Sequence, residues 1–232
     1  MVGYLVDEKD PKEVALKAPY IKLYTAPTSN GFKISILLEL LGLDYYVRPI
    51  NLATNENKEP WYLELNPNGK IPTLSDVDEK GNKLEIAESG AIMLYLIEKY
   101  DKSHKFSYPY GTLNYWKTVE CLFFQVSAVG VIQNILFQFN TYTEPDPFAT
   151  KKFVEELKRL YSILESFLQK NHSNLLLVGD RITIADIGIW TFANNLGSFG
   201  IDINEYPSVK QWYDKLKKID GFQRGLKIFP SE

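Results

Sequence analysis

Residues 66–90, NPNGKIPTLSDVDEKGNKLEIAESG, decide how the rest of the chain is read. Lys70-Ile71-Pro72-Thr73-Leu74 sets a proline at the mouth of a short apolar strand, and proline has no N–H to give to a sheet ladder. Ile71 then offers its backbone as a free edge. With a cis Ile71–Pro72 bond, the isomer of about 5–6% of X-Pro bonds, an extended peptide can add there as a strand. The segment Asp78–Asn82 reads as the turn of a hairpin joining Thr73–Asp76 to Leu84–Ala87. Glu88-Ser89-Gly90 precedes the apolar-periodic run Ala91, Met93, Leu94, Leu96, Ile97. Ser89 and the N–H groups of that helix N-terminus favour a carboxylate, and Glu88 matches an amino group beside it. Together these parts suit a small ligand with an α-amino acid head and an extended peptide body. The same residues also fit a plain helix cap and a loop end, and the stretch alone leaves both readings open.

Composition narrows the class. A chain of 232 residues is long enough for one large domain or two small ones, and 45% hydrophobic with 24% charged residues is ordinary for a soluble globular protein. The net charge of −3 argues against a nucleic-acid or anionic-membrane binder, which needs a basic surface. Cys121 is the single cysteine, so no intrachain disulfide forms, in keeping with a reducing compartment. The N-terminus lacks the apolar core of a signal peptide, no run approaches the length of a membrane span, and Asn171-His172-Ser173 reads as a chance glycosylation match. A cytoplasmic protein is expected.

Residues 1–19 mix charges around Asp10-Pro11 without a sustained period and are expected to be a loosely held extension. A domain over 20–103 begins with a strand at Tyr20–Tyr24, breaks at Ala26–Gly31, and continues as an apolar helix through Phe32, Ile34, Ile36, Leu37, Leu40 and Leu41, with Gly42 as C-cap. Tyr45–Ile50 returns as a strand parallel to the first, and a short helix runs through Trp61, Leu63 and Leu65. With the hairpin and the helix after Ser89, the order is a thioredoxin-like βαβαββα layout.

Periodicity stops between Asp101 and Gly111, and 104–232 reads as an all-helical C-terminal domain. The fold class is therefore α/β plus all-α. Its helices include Leu113–Val126, a run from Phe153 to Phe167 after the Glu144–Pro147 break, and a last helix through Trp212 that ends near Gly221. Thr183-Ile184-Ala185-Asp186 is a capping box, which assigns Asp186 to folding, with a cap worth about 1 kcal/mol.

A thioredoxin-like half invites a search for Cys-x-x-Cys at the first helix, and Ala26–Gly31 holds no cysteine. Cys121, among Leu122, Phe123 and Phe124, reads as a core residue, so any thiol chemistry must use a thiol that the ligand brings. Thr28, Ser29 and Asn30 place two hydroxyls and an amide at a helix N-terminus, where donors and dipole favour a thiolate. Lowering a thiol pKa by about two units takes about 2.7 kcal/mol, and one hydrogen bond to a charged group supplies about 1.5–3. Ser29 or Asn30 as a simple N-cap is compatible with that role. His104 and His172 have no ligand-spaced partners, and no metal is expected.

APTSNGFK at 26–33, NPNGKIPTL at 66–74, ESGAIMLYLIEKY at 88–100, LFFQV at 122–126 and TIADIGIW at 183–190 together resemble the glutathione S-transferase superfamily. Within it the chain is most similar to the branch holding the fungal nitrogen-regulator (prion-type) proteins and the bacterial nu-class disulfide-bond oxidoreductases. The resemblance spans about residues 20–225. It implies that Asn30 and Thr28, with Ser29 as an alternative donor, approach a glutathione sulfur. It further implies that Asn57, with Lys58 nearby, meets the glycine carboxylate, that Lys70 belongs to the glutathione-binding set, that Ile71 and Pro72 clamp the peptide backbone, and that Glu88 and Ser89 hold the γ-glutamyl group. It implies glutathione as co-substrate, a homodimer, and a second substrate lined by residues around Gln125, Asn134 and Phe137. The activity implied is a detoxifying transferase, with glutathione peroxidase and disulfide reductase chemistry sharing the same thiolate. The alternative is a non-catalytic regulatory or ligand-carrier protein on the same fold. Where prion-type regulators carry an Asn/Gln-rich region, this chain has ordinary residues, so a prion role is not expected.

Overall fold

The computed structural model describes residues 2–4, 16–142 and 146–229. The chain forms two compact units, Met1–Tyr100 with Asp220–Glu232, and Asp101–Ile219. The junction falls at Tyr100/Asp101 rather than 103/104. Asp101 already belongs to the second unit because its carboxylate accepts hydrogen bonds of 2.8 Å from the N–H groups of Lys105 and Phe106 and from the Ser107 hydroxyl. The C-terminal segment, expected to end the helical domain, returns instead to the first unit.

In that unit Val2–Tyr4 (β1), Tyr20–Thr25 (β2), Tyr45–Pro49 (β3), Thr73–Val77 (β4) and Lys83–Ala87 (β5) make a five-stranded sheet in the order β1-β3-β2-β4-β5. Strands β2 and β3 are parallel, as the intervening helix requires, and β4 is antiparallel to both β2 and β5. The expected N-terminal extension is corrected in part. Val2–Tyr4 pairs in parallel along β3, which gives an otherwise open sheet edge its backbone partners. Gly3 lets the strand come close, since a Cβ there would stand 2.7 Å from Cδ1 of Tyr46. Residue 1 and residues 5–15 of the expected extension lie outside the described residues.

Ser29–Leu41 (α1) starts on the Thr28 cap and stops at Gly42, whose φ of 67° suits glycine. Pro60–Leu65 (α2) opens on a proline at its first turn, and Ser89–Tyr100 (α3) follows the hairpin. Leu23, Ile34, Leu37, Val47, Leu74, Met93 and Leu96 are fully buried between sheet and helices.

The second unit holds Leu113–Phe124 (α4), Gly130–Tyr142 (α5), Pro147–Lys170 (α6), Ile184–Ala193 (α7) and Pro207–Lys217 (α8). Asp220–Leu226 (α9) packs on α1 in the first. Residues 143–145, which include the start of the expected Glu144–Pro147 break, lie outside the described residues, and α6 begins with Asp146 accepting from the N–H groups of Phe148 and Ala149 at 3.0 Å. A wide π turn at Gln125–Val129 joins α4 to α5, so Leu113–Thr141 runs as 29 helical residues. By length and composition this stretch is sufficient to cross a membrane, which corrects the expectation that no run approaches a span. Its inner side carries buried polar groups: Gln133 donates to the Tyr161 hydroxyl at 3.3 Å and to the Phe192 carbonyl at 3.2 Å.

Candidate functional site

Strand register gathers the site. Tyr24 pairs with Thr73, and Thr73 with Ala87. The residues just beyond these three positions, Ala26–Asn30, Ile71–Pro72 and Glu88–Ser89, therefore emerge at one end of the sheet. Three segments that stand far apart in the chain become neighbours there because β2, β4 and β5 are adjacent and in register.

At that end the N-termini of α1 and α3 meet. Thr28 caps α1, its hydroxyl oxygen accepting from the Gly31 N–H at 3.1 Å while keeping its own proton to donate. Asn30 Oδ1 accepts from Lys33 Nζ at 2.9 Å and from the Ser89 hydroxyl at 3.4 Å, and Lys33 Nζ also lies 3.1 Å from Ser89 Oγ. Two donors on its oxygen set the orientation of the Asn30 amide. Its Nδ2 has no protein partner among the described residues, and the side chain is exposed. Two positive helix ends and a lysine thus surround an available N–H pair, an arrangement suited to an anion.

Glu88 holds φ at 69°, an uncommon and costly conformation for a residue with a Cβ. Its carbonyl accepts from the Ile92 N–H at 2.9 Å, so the backbone turns into α3 while the side chain remains exposed beside the cradle.

The Asn66–Pro72 loop is held through its carbonyls. Asn57 Nδ2 and Lys58 Nζ each donate to Gly69 O at 2.7 Å, and Asn66 Nδ2 and the Tyr62 hydroxyl donate to Lys70 O at 2.7 and 2.9 Å. Asn57 and Lys58 are themselves steadied by a buried Arg48–Glu56 ion pair, with Glu56 also accepting from the Asn51 N–H at 2.7 Å. The Ile71–Pro72 peptide is cis. Ile71 packs against the Tyr24, Ile50 and Tyr62 cluster, and its backbone N–H and C=O have no partner among the described residues.

The family models match this frame. The glutathione S-transferase N-terminal domain covers residues 19–98 and its C-terminal domain 132–224. Glutathione S-transferase 1 of Schizosaccharomyces pombe is 35% identical over 81% of this chain and 86% of that protein. The disulfide-bond oxidoreductase YfcG of Escherichia coli is 35% identical over 85% and 90%. The chain belongs to the glutathione S-transferase family. A solved glutathione transferase homologue from Lodderomyces elongisporus, with two GSH per subunit, shares 46% identity and a TM-score of 0.88 over 91% of this transferase-family chain and 99% of that one.

For this glutathione S-transferase family member, the residues read from the sequence divide into two groups. Asn30, Thr28, Ser29, Ile71, Pro72, Glu88 and Ser89 come to the same sheet end, and Asn30 touches Ser89 directly. Asn57 and Lys58 spend their donors on the loop backbone, and the Lys70 side chain is exposed while its carbonyl is held inward. Gln125 is a correction. It is fully buried in the second unit, at the start of the π turn, and Oε1 lies 3.6 Å from a Cβ built on Gly188, so it cannot line an open cleft. Asn134 and Phe137 are exposed on α5.

Lys33 escaped the sequence reading, which passed from Phe32 to Ile34 along the apolar helix. The available signal was its spacing: a charged residue three after Asn30 lies under the first helical turn. Among the described residues no group of three metal-ligating side chains occurs.

Proposed function

We propose that this chain binds reduced glutathione at the shared N-termini of α1 and α3 and uses its thiolate on electrophiles, peroxides or mixed disulfides. The observation that carries the reading is the Asn30 amide, with Oδ1 held by Lys33 and Ser89 and Nδ2 left to donate outward. A thiolate facing Nδ2 and the Thr28 hydroxyl gains charge-assisted hydrogen bonds that a neutral thiol does not, and this lowers its pKa. The γ-glutamyl carboxylate sits against Ser89 and the α3 N-terminus with its amino group toward Glu88, and the cysteinyl backbone pairs with Ile71.

In the disulfide reaction the thiolate attacks one sulfur of a mixed disulfide, forming a new S–S bond as the other sulfur leaves as thiolate and takes a proton from water. No protein sulfur is needed, in line with the buried Cys121. The solved homologue bearing two GSH per subunit and the oxidoreductase relative both support including this reaction. A cytoplasmic homodimer is part of the proposal.

The test is a set of initial-rate assays with reduced glutathione and a chloronitrobenzene, cumene hydroperoxide or hydroxyethyl disulfide, on wild type and Asn30→Ala, beside calorimetric titration with glutathione and its disulfide. Turnover that depends on Asn30 is expected, and the preferred acceptor names the subclass. Binding with no turnover would transfer the assignment to a regulator or carrier, and absence of both would overturn the site.

A further inference from the structure

Lys33 is 1% exposed, between Phe32 and Ile34 on a helix whose inner face is otherwise mostly apolar. A buried ammonium costs free energy that a methionine of similar shape would not, so its place is explained by what it touches. It bridges Asn30 Oδ1 and Ser89 Oγ, 56 residues apart from the latter, and so joins the first turn of α1 to the first turn of α3. Burial depresses the ammonium to about 7, against the opposing charge of Glu88. Other charged groups on the elements packed against α1 are engaged elsewhere or exposed. Arg224 of α9 pairs with Glu39 and Asp220, Lys99 of α3 pairs with Asp76 on β4, and Glu98 is exposed.

An asparagine amide presents either a donor or an acceptor, and a half-turn about its terminal bond exchanges the two. A carbonyl oxygen turned toward a thiolate repels it, whereas the N–H pair stabilises it. We infer that Lys33 is a positioning residue for the thiolate: by donating to Asn30 Oδ1 and Ser89 Oγ it locks the Asn30 amide with its N–H donors toward the ligand sulfur. The inference rests on the glutathione reading above. It makes Lys33 act through Asn30, which distinguishes it from a residue that merely fills the helix interior or adds positive potential.

A double-mutant cycle tests this. The pKa of enzyme-bound glutathione is read from its ultraviolet thiolate absorbance against pH, together with kcat and KM for the best acceptor, in wild type, Lys33→Met, Asn30→Ala and the double variant. Lys33→Met is expected to raise the bound thiol pKa by about one unit and to lower kcat/KM at neutral pH roughly tenfold, mostly in kcat, as one charge-assisted hydrogen bond is lost. In the Asn30→Ala background it should change neither, because the group it positions is gone. Equal effects in both backgrounds would overturn the positioning role. Failure of wild type to bind glutathione would overturn the underlying reading and this inference with it. Should Lys33→Met not fold, wild type supplies the readout. The Asn30 side-chain amide resonances, assigned by their absence from Asn30→Ala, should shift with the Lys33 Cε resonance as pH crosses about 7. Amide resonances that stay fixed while Lys33 titrates would overturn it.

Discussion

The Ser35 hydroxyl donates a 2.7 Å hydrogen bond to the carbonyl of Gly225, 190 residues further along the chain. This bond sits where α9 crosses α1, and the contact is tight: a Cβ on Gly225 would lie 2.5 Å from Cα and 2.7 Å from N of Ile36. Backbone atoms cannot give way as a flexible side chain can. Gly225→Ala is therefore expected to destabilise the protein by about 2 kcal/mol, within the usual range for overpacking. Chemical denaturation measures it, and an unchanged midpoint would show that α9 is not seated on α1 as described.

Asn30→Asp separates stability from activity. The carboxylate keeps the shape, accepts from Lys33 and stands at a helix N-terminus, so the melting temperature should hold or rise. The N–H donors are lost and a negative charge faces the thiolate, so kcat/KM should fall by roughly 10²-fold or more. Steady-state kinetics with a thermal melt test both halves, and retained activity would remove Asn30 from the thiolate site.

Lys33 makes a pH-dependent contribution whose sign follows from its depressed pKa. Between about 7 in the folded state and 10.5 in the unfolded state, the unfolded chain binds more protons. Stability from this group therefore rises with pH across that window and is level below it. Relative to wild type, Lys33→Met should be most stable near or below neutral pH. Its advantage should shrink by up to about 1.4 kcal/mol per pH unit above that. Denaturation of both proteins at several pH values would reveal a parallel pair of curves if Lys33 does not titrate there.

Asp186 does more than the cap expected of it. Its carboxylate accepts from the N–H and hydroxyl of Thr183, from the Leu177 N–H and from the Trp212 indole, at 2.9–3.0 Å, in a fully buried setting. Asp186→Ala strands several buried donors, so the loss should reach at least ~3 kcal/mol rather than the ~1 kcal/mol of a cap. Calorimetry should record a fall of about 6–12 °C for a chain of this size.

Cys121 should be dispensable. Burial, with Asp186 and Glu120 adding to it, pushes its thiol up to about 12, so almost none is thiolate at neutral pH. Cys121→Ala is expected to keep full turnover, and the native protein to resist alkylation; a large activity loss in a folded variant would place protein sulfur in the reaction.

Much of the architecture was legible from local signals. The Asp78–Asn82 hairpin turn is there, with Asp78 Oδ1 accepting from the Lys80 and Asn82 N–H groups at 2.8 and 2.9 Å. The parallel pairing of β2 and β3 and the Thr183 capping box also followed from spacing and turn chemistry. Gln125 was placed by family resemblance alone, and a resemblance in sequence does not say which side of the π turn at 125–129 faces the interior, where Gln125 lies fully buried. That the Asn57 amide donates to Gly69 O was not legible, because a polar residue in a loop carries no mark of which backbone carbonyl it will meet.

Sequence by itself determined the type of most elements, β1, the π turn and α9 excepted, and the kinds of group at their ends: caps, breakers, a proline edge and donors without a cysteine. Those depend on neighbours within a turn or two, where propensity and hydrogen-bonding chemistry act. Tertiary structure alone decided which ends meet. Strand register carried Asn30 to Ser89, burial turned Lys33 from a helix lysine into their bridge, and α9 returned to α1 across a glycine contact. Those outcomes depend on packing between residues far apart in the chain, which no local pattern encodes.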